Sequence, residues 1–312
     1  MPWNDRTKRQ LKLRDLDILM VVVQAGGMGK AARRLDMSQP AVSKAIADLE
    51  HTLGVRLVLR TQKGIEPTPY GLALVKRGVA MFNELRQGVQ DIEFLADPTA
   101  GELRIGATEP LAVAIVAPVI EQLSRQYPRM AFQVVGGDLL GTYRNIEERN
   151  VEFVISRVSG ALPDGCAAET LFYDSMVVAT GANNPLTRRR KIELSELVDE
   201  PWTQQLADNH FGWLVANAFQ AAGLSPPRMT ISSSYLMLRY ELLAAGRLLT
   251  VVPGFSLKLP RKHSFLRALP VELPHSRHPV AIITLKNREL SPLAQLFCER
   301  VRAITKPLAK DR

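Results

Sequence analysis

Gln39, Ser43, Lys44 and Ala47 fall at spacings that set them on one face of a helix, away from its apolar side. A glutamine can pair with adenine, a lysine with guanine or phosphate, and a serine with several base edges, so such a face suits the major groove of a duplex. Side chains of these types also cover ordinary solvated helices, and the face alone leaves both readings open. The elements that must hold it favour the first.

The apolar positions behind the face are Val42, Ala45, Ile46, Leu49 and Leu53. Ser38 can accept a hydrogen bond from the free N–H groups of a new helix, and Pro40 is tolerated in a first turn, so the helix starts there. Upstream, Met28, Ala31, Ala32 and Leu35 form the buried stripe of a shorter helix. Leu13, Leu16, Leu19, Met20 and Val23 form another, able to cover both. Gly26-Gly27 can end the one and turn into the next, since glycine accepts positive φ. The result is a unit of helix-turn-helix type. Beyond it the stretch Arg56 to Arg60 alternates like a strand, Lys63-Gly64 turns, and Gly64 to Thr68 returns. This basic wing is expected to bring Arg60, Lys63 and Thr68 near phosphates or the minor groove.

The run A-A-x-x-L-x-x-S-Q-P-A-V-S-K-x-I-x-x-L-E-x-x-L-G-V-x-L from Ala31 to Leu57, with Arg60-Thr61 and Thr68-Pro69-Tyr70-Gly71 after it, resembles the LysR-type transcriptional regulators. The resemblance implies a winged helix-turn-helix, a linker helix for dimerisation, and a two-lobed α/β domain of periplasmic-binding-protein type that senses a small molecule. It implies promoter DNA, a small-molecule inducer, a second copy of the chain and RNA polymerase as partners, and no cofactor. The family's DNA-contacting positions match Gln39, Pro40, Ser43 and Lys44. Relatives often begin the first helix of the pair with Ser or Thr, where this chain has Gly26-Gly27-Met28.

The charge distribution agrees. The chain has 312 residues and a net charge of +9, and residues 1–77 hold 14 Lys plus Arg against 7 Asp plus Glu, so most of the excess lies in the first quarter. A basic head on a near-neutral body is the footprint expected of a duplex-binding domain joined to one with other ligands. Attraction to a membrane surface would want a basic amphipathic helix, and none is evident. The first dozen residues lack the apolar centre of a signal peptide, and no apolar run reaches membrane length. Cys166 and Cys298 stand far apart without metal spacing and, with no export signal to favour a disulfide between them, are expected to be reduced thiols in a cytoplasmic protein.

After Gly71, Leu72, Val75, Val79, Phe82, Leu85, Val89, Ile92 and Leu95 recur at helical spacing. A helix of about 25 residues, roughly 37 Å long, fits them. Its stripe is expected to meet the same helix of a second chain, with packing on its own head as the alternative. Residues 97–101 then open a hinge, and from Glu102 short strands and helices alternate as in a doubly wound α/β fold. The expected domains are a DNA-binding head at 1–70, a linker helix at 71–97 and an effector domain at 101–312. Its first lobe comprises about 101–173 and 266–305, and its second about 174–265. The effector domains are expected to extend the dimer to a tetramer.

In such sheets ligands sit at the carboxyl ends of strands. That rule selects Thr108, Gly137 and Arg157 on one side of a cleft, and Thr203, Gln204, Gln205, Ser234 and Pro253 on the other. Arg157 at a strand end is expected either to grip a ligand carboxylate or to make a surface ion pair. An enzyme is the rival class, but the chain lacks a G-x-S-x-G elbow, an H-E-x-x-H pair and a G-x-x-x-x-G-K-S/T loop, and its five histidines are scattered.

Overall fold

Leu16, Ile18, Leu19 and Val22 of α1 (Leu13–Ala25), Met28, Ala31 and Ala32 of α2 (Met28–Arg34), and Val42, Ile46 and Leu49 of α3 (Gln39–Leu53) are buried together in one core. They belong to a computed structural model that describes residues 10–62, 64–137, 139–204, 210–233, 235–257 and 265–310. The chain divides into two compact units, 1–90 with 147–150, and 91–146 with 151–312. In the first, Gly26 ends α1 at φ 65 and its N–H donates to the Val22 carbonyl. Gly27 is extended and starts α2 without a side-chain cap, as its lack of a hydroxyl requires.

The wing is β1 (Val58–Thr61) paired antiparallel with β2 (Gly64–Pro67). It begins later than the alternation suggests because Leu57 is drawn into the core, and the N–H groups of Leu57 and Val58 donate to the Glu50 carboxylate at 2.7 and 3.2 Å. The Ile65 N–H donates to the Gly26 carbonyl at 2.9 Å, and a Cβ at Gly64 would stand 2.4 Å from that same oxygen. The wing therefore seats on the α1–α2 corner only because residue 64 has no side chain.

Helix α4 (Pro69–Ala96) has 28 residues, somewhat longer than expected. Leu74, Val75 and Phe82 pack on the head's core, whereas Leu72, Leu85, Val89, Ile92 and Leu95 are exposed. The single apolar stripe of the sequence is thus split: one edge is covered by the head and the other is exposed.

The second unit is a mixed nine-stranded sheet in the order β4-β3-β5-β11-β6-β9-β7-β8, with β10 on β6. Its strands are β3 (Ala100–Ala107), β4 (Arg129–Val135), β5 (Phe153–Arg157), β6 (Cys166–Gly181), β7 (Trp202–Gln204), β8 (Met229–Ser232), β9 (Leu249–Pro253), β10 (Leu266–Ala268) and β11 (Arg277–Leu285). A helical run covers Glu109 to Gln126 as α5 (Glu109–Leu111), a π turn (Ala112–Val116) and α6 (Ala117–Gln126). Then come α7 (Leu139–Glu147), α8 (His210–Ala221), α9 (Leu236–Ala244), α10 (Gly254–Leu257) and α11 (Pro292–Thr305).

Strand β6 joins the halves of this sheet. Cys166 to Ser175 pair with β11, and Met176 to Thr180 pair with β9. The first ten residues of β6 are mixed in polarity, and four of them, Ala168, Glu169, Thr170 and Tyr173, are exposed. Each half packs apolar clusters on both faces: Ile105, Phe153 and Ile155 face one way and Val154 and Ile283 the other, while Val178 and Val251 oppose Ala179 and Val252. Strand β7 is short and buried along its length. Trp202 is wholly buried, donates its Nε1 hydrogen to the Leu197 carbonyl at 2.8 Å and meets Phe219 edge-on.

Candidate functional site

On the head, the Ser38 hydroxyl accepts from the Ala41 N–H at 3.3 Å and fixes where α3 begins. That start sets the phase of the helix, so Gln39, Pro40, Lys44 and Ala47 are exposed and Ser43 is half-buried. Arg60 is exposed on β1. Lys63 lies outside the described residues. Thr68 does not face outward: it is 7% exposed, its hydroxyl donates to the Arg56 carbonyl at 2.7 Å, and the same oxygen accepts from the Gly71 N–H at 3.1 Å. It caps α4 and ties that helix to the strand entering the wing, so it has no free group for a phosphate. A threonine followed directly by a proline at the head of a helical stretch, three residues ahead of Gly71, was the available signal for a cap.

In the second unit, a cavity of about 30 Å³ opens between the halves of the sheet, with Glu109, Gln204, Arg239, Tyr240, Val251 and Pro253 in its wall. Two residues expected from the strand-end rule line it, Gln204 and Pro253. Thr108 is the residue before Glu109; it is half-buried and its hydroxyl caps nothing, while its carbonyl accepts from Leu111 and Ala112. Gly137 is exposed and Thr203 is fully buried, its hydroxyl without a hydrogen-bond partner among the described residues, and neither is among the described lining residues. Gln205 and Ser234 lie outside the described residues.

Arg157 makes its ion pair in the interior, not at the surface. It is 5% exposed, its Nη2 donates to an Asp174 carboxylate oxygen at 2.5 Å, and its Nη1 donates to the Asp174 carbonyl at 2.7 Å. The other Asp174 carboxylate oxygen accepts from the Phe255 N–H at 2.9 Å. A buried guanidinium needs a counter-charge, and an aspartate on β6, the strand beyond β11, supplies it, so Arg157 ties β5 to β6 across the intervening β11, beside the point where β6 changes partners.

The residues missed in the sequence are Arg239 and Glu109. Arg239 is 4% exposed on α9, and its Nη1 donates to Gln204 Oε1 at 2.6 Å. Gln204 in turn donates to the Val251 carbonyl at 3.3 Å. Burial lowers the Arg239 pKa from its usual value and raises that of Tyr240. The signal was present in the spacing: Leu236, Arg239, Tyr240 and Leu243 share one helix face, so an arginine falls on the stripe that turns inward, while Met237 and Leu238 are exposed. Among the described residues no group of acids, histidines and cysteines could hold a metal ion, and no helix is long and apolar enough to cross a membrane.

These features define a winged helix-turn-helix head joined by a long helix to an α/β domain with a cavity between its halves. Two family models match: the bacterial regulatory helix-turn-helix protein of the lysR family over residues 13–72, and the LysR substrate binding domain over residues 96–305. The transcriptional regulator GbpR of Azospirillum brasilense is 30% identical over 97% of this chain and 89% of its own. The regulator TdcA of Escherichia coli K12 is 24% identical over 92% of this chain and 91% of its own. Full-length CbnR, crystallised with its target DNA, superimposes with a TM-score of 0.67 at 20% identity, over 94% of this chain and 100% of that one, and shares the fold. The chain belongs to the LysR family: it is a DNA-binding transcriptional regulator with an effector-binding domain, in a family whose members are regulators and not enzymes.

Proposed function

We propose that the α3 face reads a promoter through Gln39, Pro40, Ser43 and Lys44, with Arg60 and Lys63 of the wing on the backbone, and that occupation of the cavity between the sheet halves controls transcription. The observation that carries the first part is the capped start of α3, which leaves these polar side chains outward on a helix whose other side is core. The second part rests on the cavity, walled by residues that follow β3, end β7 and β9, and lie on α9. Thr108, Gly137, Arg157, Thr203, Gln205 and Ser234 are retained as proposed effector-binding positions on this reading, and Gln204 and Pro253 line the cavity.

The open edge of α4 is the surface on which two copies pair, since Leu85, Val89, Ile92 and Leu95 are large and exposed. Paired heads address paired half-sites, and further pairing of effector domains makes the tetramer. The working unit is the head at 1–70, the linker at 71–97 and the two-lobed domain at 101–312, acting in the cytoplasm and presenting bound promoter to RNA polymerase.

The test is binding of the full-length protein to the DNA upstream of its own gene, against an unrelated duplex of equal length, across a salt series. Sequence-specific reading predicts a preference of about a thousandfold or more, with affinity falling steeply as salt rises. Equal affinity for both duplexes would reject it.

A further inference from the structure

The cavity wall contains a buried cation that makes no ion pair among the described residues. Two arginines are buried to nearly the same degree, Arg157 at 5% and Arg239 at 4% exposure. Arg157 has Asp174 against it at 2.5 Å. Arg239 has only the neutral Gln204 amide oxygen at 2.6 Å, and its Nε has no hydrogen-bond partner among the described residues. A guanidinium removed from water is costly unless a counter-charge meets it, and an unpaired N–H adds to that cost. Arg239 lines the cavity, so the missing partner can arrive there.

The opposite wall carries the opposite charge. Glu109 follows β3 in the other half of the sheet, is exposed, lines the same cavity, and makes no ion pair with Arg239 among the described residues. It nevertheless acts on Arg239 through its charge. A simple carboxylate would satisfy Arg239 but bring a second negative charge toward Glu109. A neutral sugar would leave the buried cation without a counter-ion. A molecule with a carboxylate at one end and an ammonium a few bonds away meets both walls. At about 30 Å³ the cavity holds little more than a water, so such a ligand enters by parting the two halves and is then enclosed by them.

We propose that the effector is a small zwitterion of the α-amino-acid type, its carboxylate held by Arg239 and its ammonium by Glu109, so that one molecule bridges the two halves of the sheet. The inference rests on the reading of this cavity as the effector site. It makes Arg239 and Glu109 the residues that select the ligand.

The experiment uses the full-length protein, with thermal unfolding and titration calorimetry against the protein-forming amino acids, the corresponding 2-hydroxy acids and a set of neutral hexoses. At least one amino acid is expected to raise the melting temperature saturably and to bind about tenfold or more tightly than its 2-hydroxy acid. Arg239→Gln is expected to abolish that binding, and Glu109→Gln, at an exposed position that tolerates change, to bring the amino acid and its 2-hydroxy acid to nearly equal affinity. Arg239→Lys keeps the charge and is expected to retain weak binding. Should Arg239→Gln fail to fold, the Glu109→Gln and Arg239→Lys results decide the matter. The proposal is overturned if no amino acid binds, if a hexose binds instead, or if the preference for the amino acid survives Glu109→Gln. Specific DNA binding without any amino-acid effect would sink this inference alone. Amino-acid binding with these dependences, but without an effect on DNA binding or transcription, would sink the regulatory reading of the cavity and leave the ligand assignment standing.

Discussion

At the scale of single residues, each hydroxyl and charge is assigned by what it touches. Lys44 is exposed on α3, so Lys44→Ala is expected to leave stability unchanged and to cost about 1–3 kcal/mol of operator affinity in an anisotropy titration. Operator affinity equal to wild type would remove it from the groove. Thr68 is the converse: Thr68→Val should cost about 1 kcal/mol of head stability in chemical denaturation through the lost cap, whatever it does to DNA. Glu152 is 3% exposed, accepts from the Ser291 N–H at 3.1 Å through one oxygen and leaves the other unpartnered. Burial, the largest influence, raises its pKa above the ordinary glutamate value. The folded protein therefore holds this proton more tightly than the unfolded chain, and the group's contribution to stability is full at pH below the unfolded pKa and lost as pH rises through the folded one. Glu152→Gln should melt progressively higher than wild type as pH is raised through that window, with the gap level above it, read by calorimetry at several pH values. A gap independent of pH would show that the carboxyl does not titrate this way.

At the scale of elements, α4 and β6 carry most of the organisation. Leu85 and Val89 are exposed on α4 beyond Phe82, the last of its residues packed on the head's core, so Leu85→Glu with Val89→Glu should leave the head folded and turn the proposed dimer into a monomer by light scattering. A double variant that stays dimeric would move the interface elsewhere. Strand β6 changes partner between Ser175 and Met176, and Asp174 stands beside that point with Arg157 on one side and the start of α10 on the other. Asp174→Ala leaves a guanidinium buried without its counter-charge, and a loss of about 3–5 kcal/mol in denaturant unfolding is expected, with the head's own transition spared. The buried partner of Arg157 was not legible in the sequence, because a strand-end rule locates a backbone position and not the charge that faces it across the sheet.

At the scale of the whole molecule, both cysteines are buried, and burial pushes the Cys298 thiol up to about 12. A thiol reagent at neutral pH is expected to label neither residue until the effector domain unfolds, and rapid labelling of native protein would contradict the core described here. The amino-acid sequence by itself determined the head almost completely: periodicity, a serine cap, a glycine corner and a long motif are local signals, and α1 to α4 form where those signals place them. It also determined the alternating α/β character of the second unit, because apolar strands and amphipathic helices are legible one at a time. Tertiary structure alone decided that Thr68 caps a helix, that Arg157 is spent on Asp174, and that an apolar-looking helix turns Arg239 inward and Met237 outward. Those outcomes depend on which charges and carbonyls meet from elements far apart in the chain, and the energy of a buried polar group is set by that partner rather than by its own neighbours in sequence.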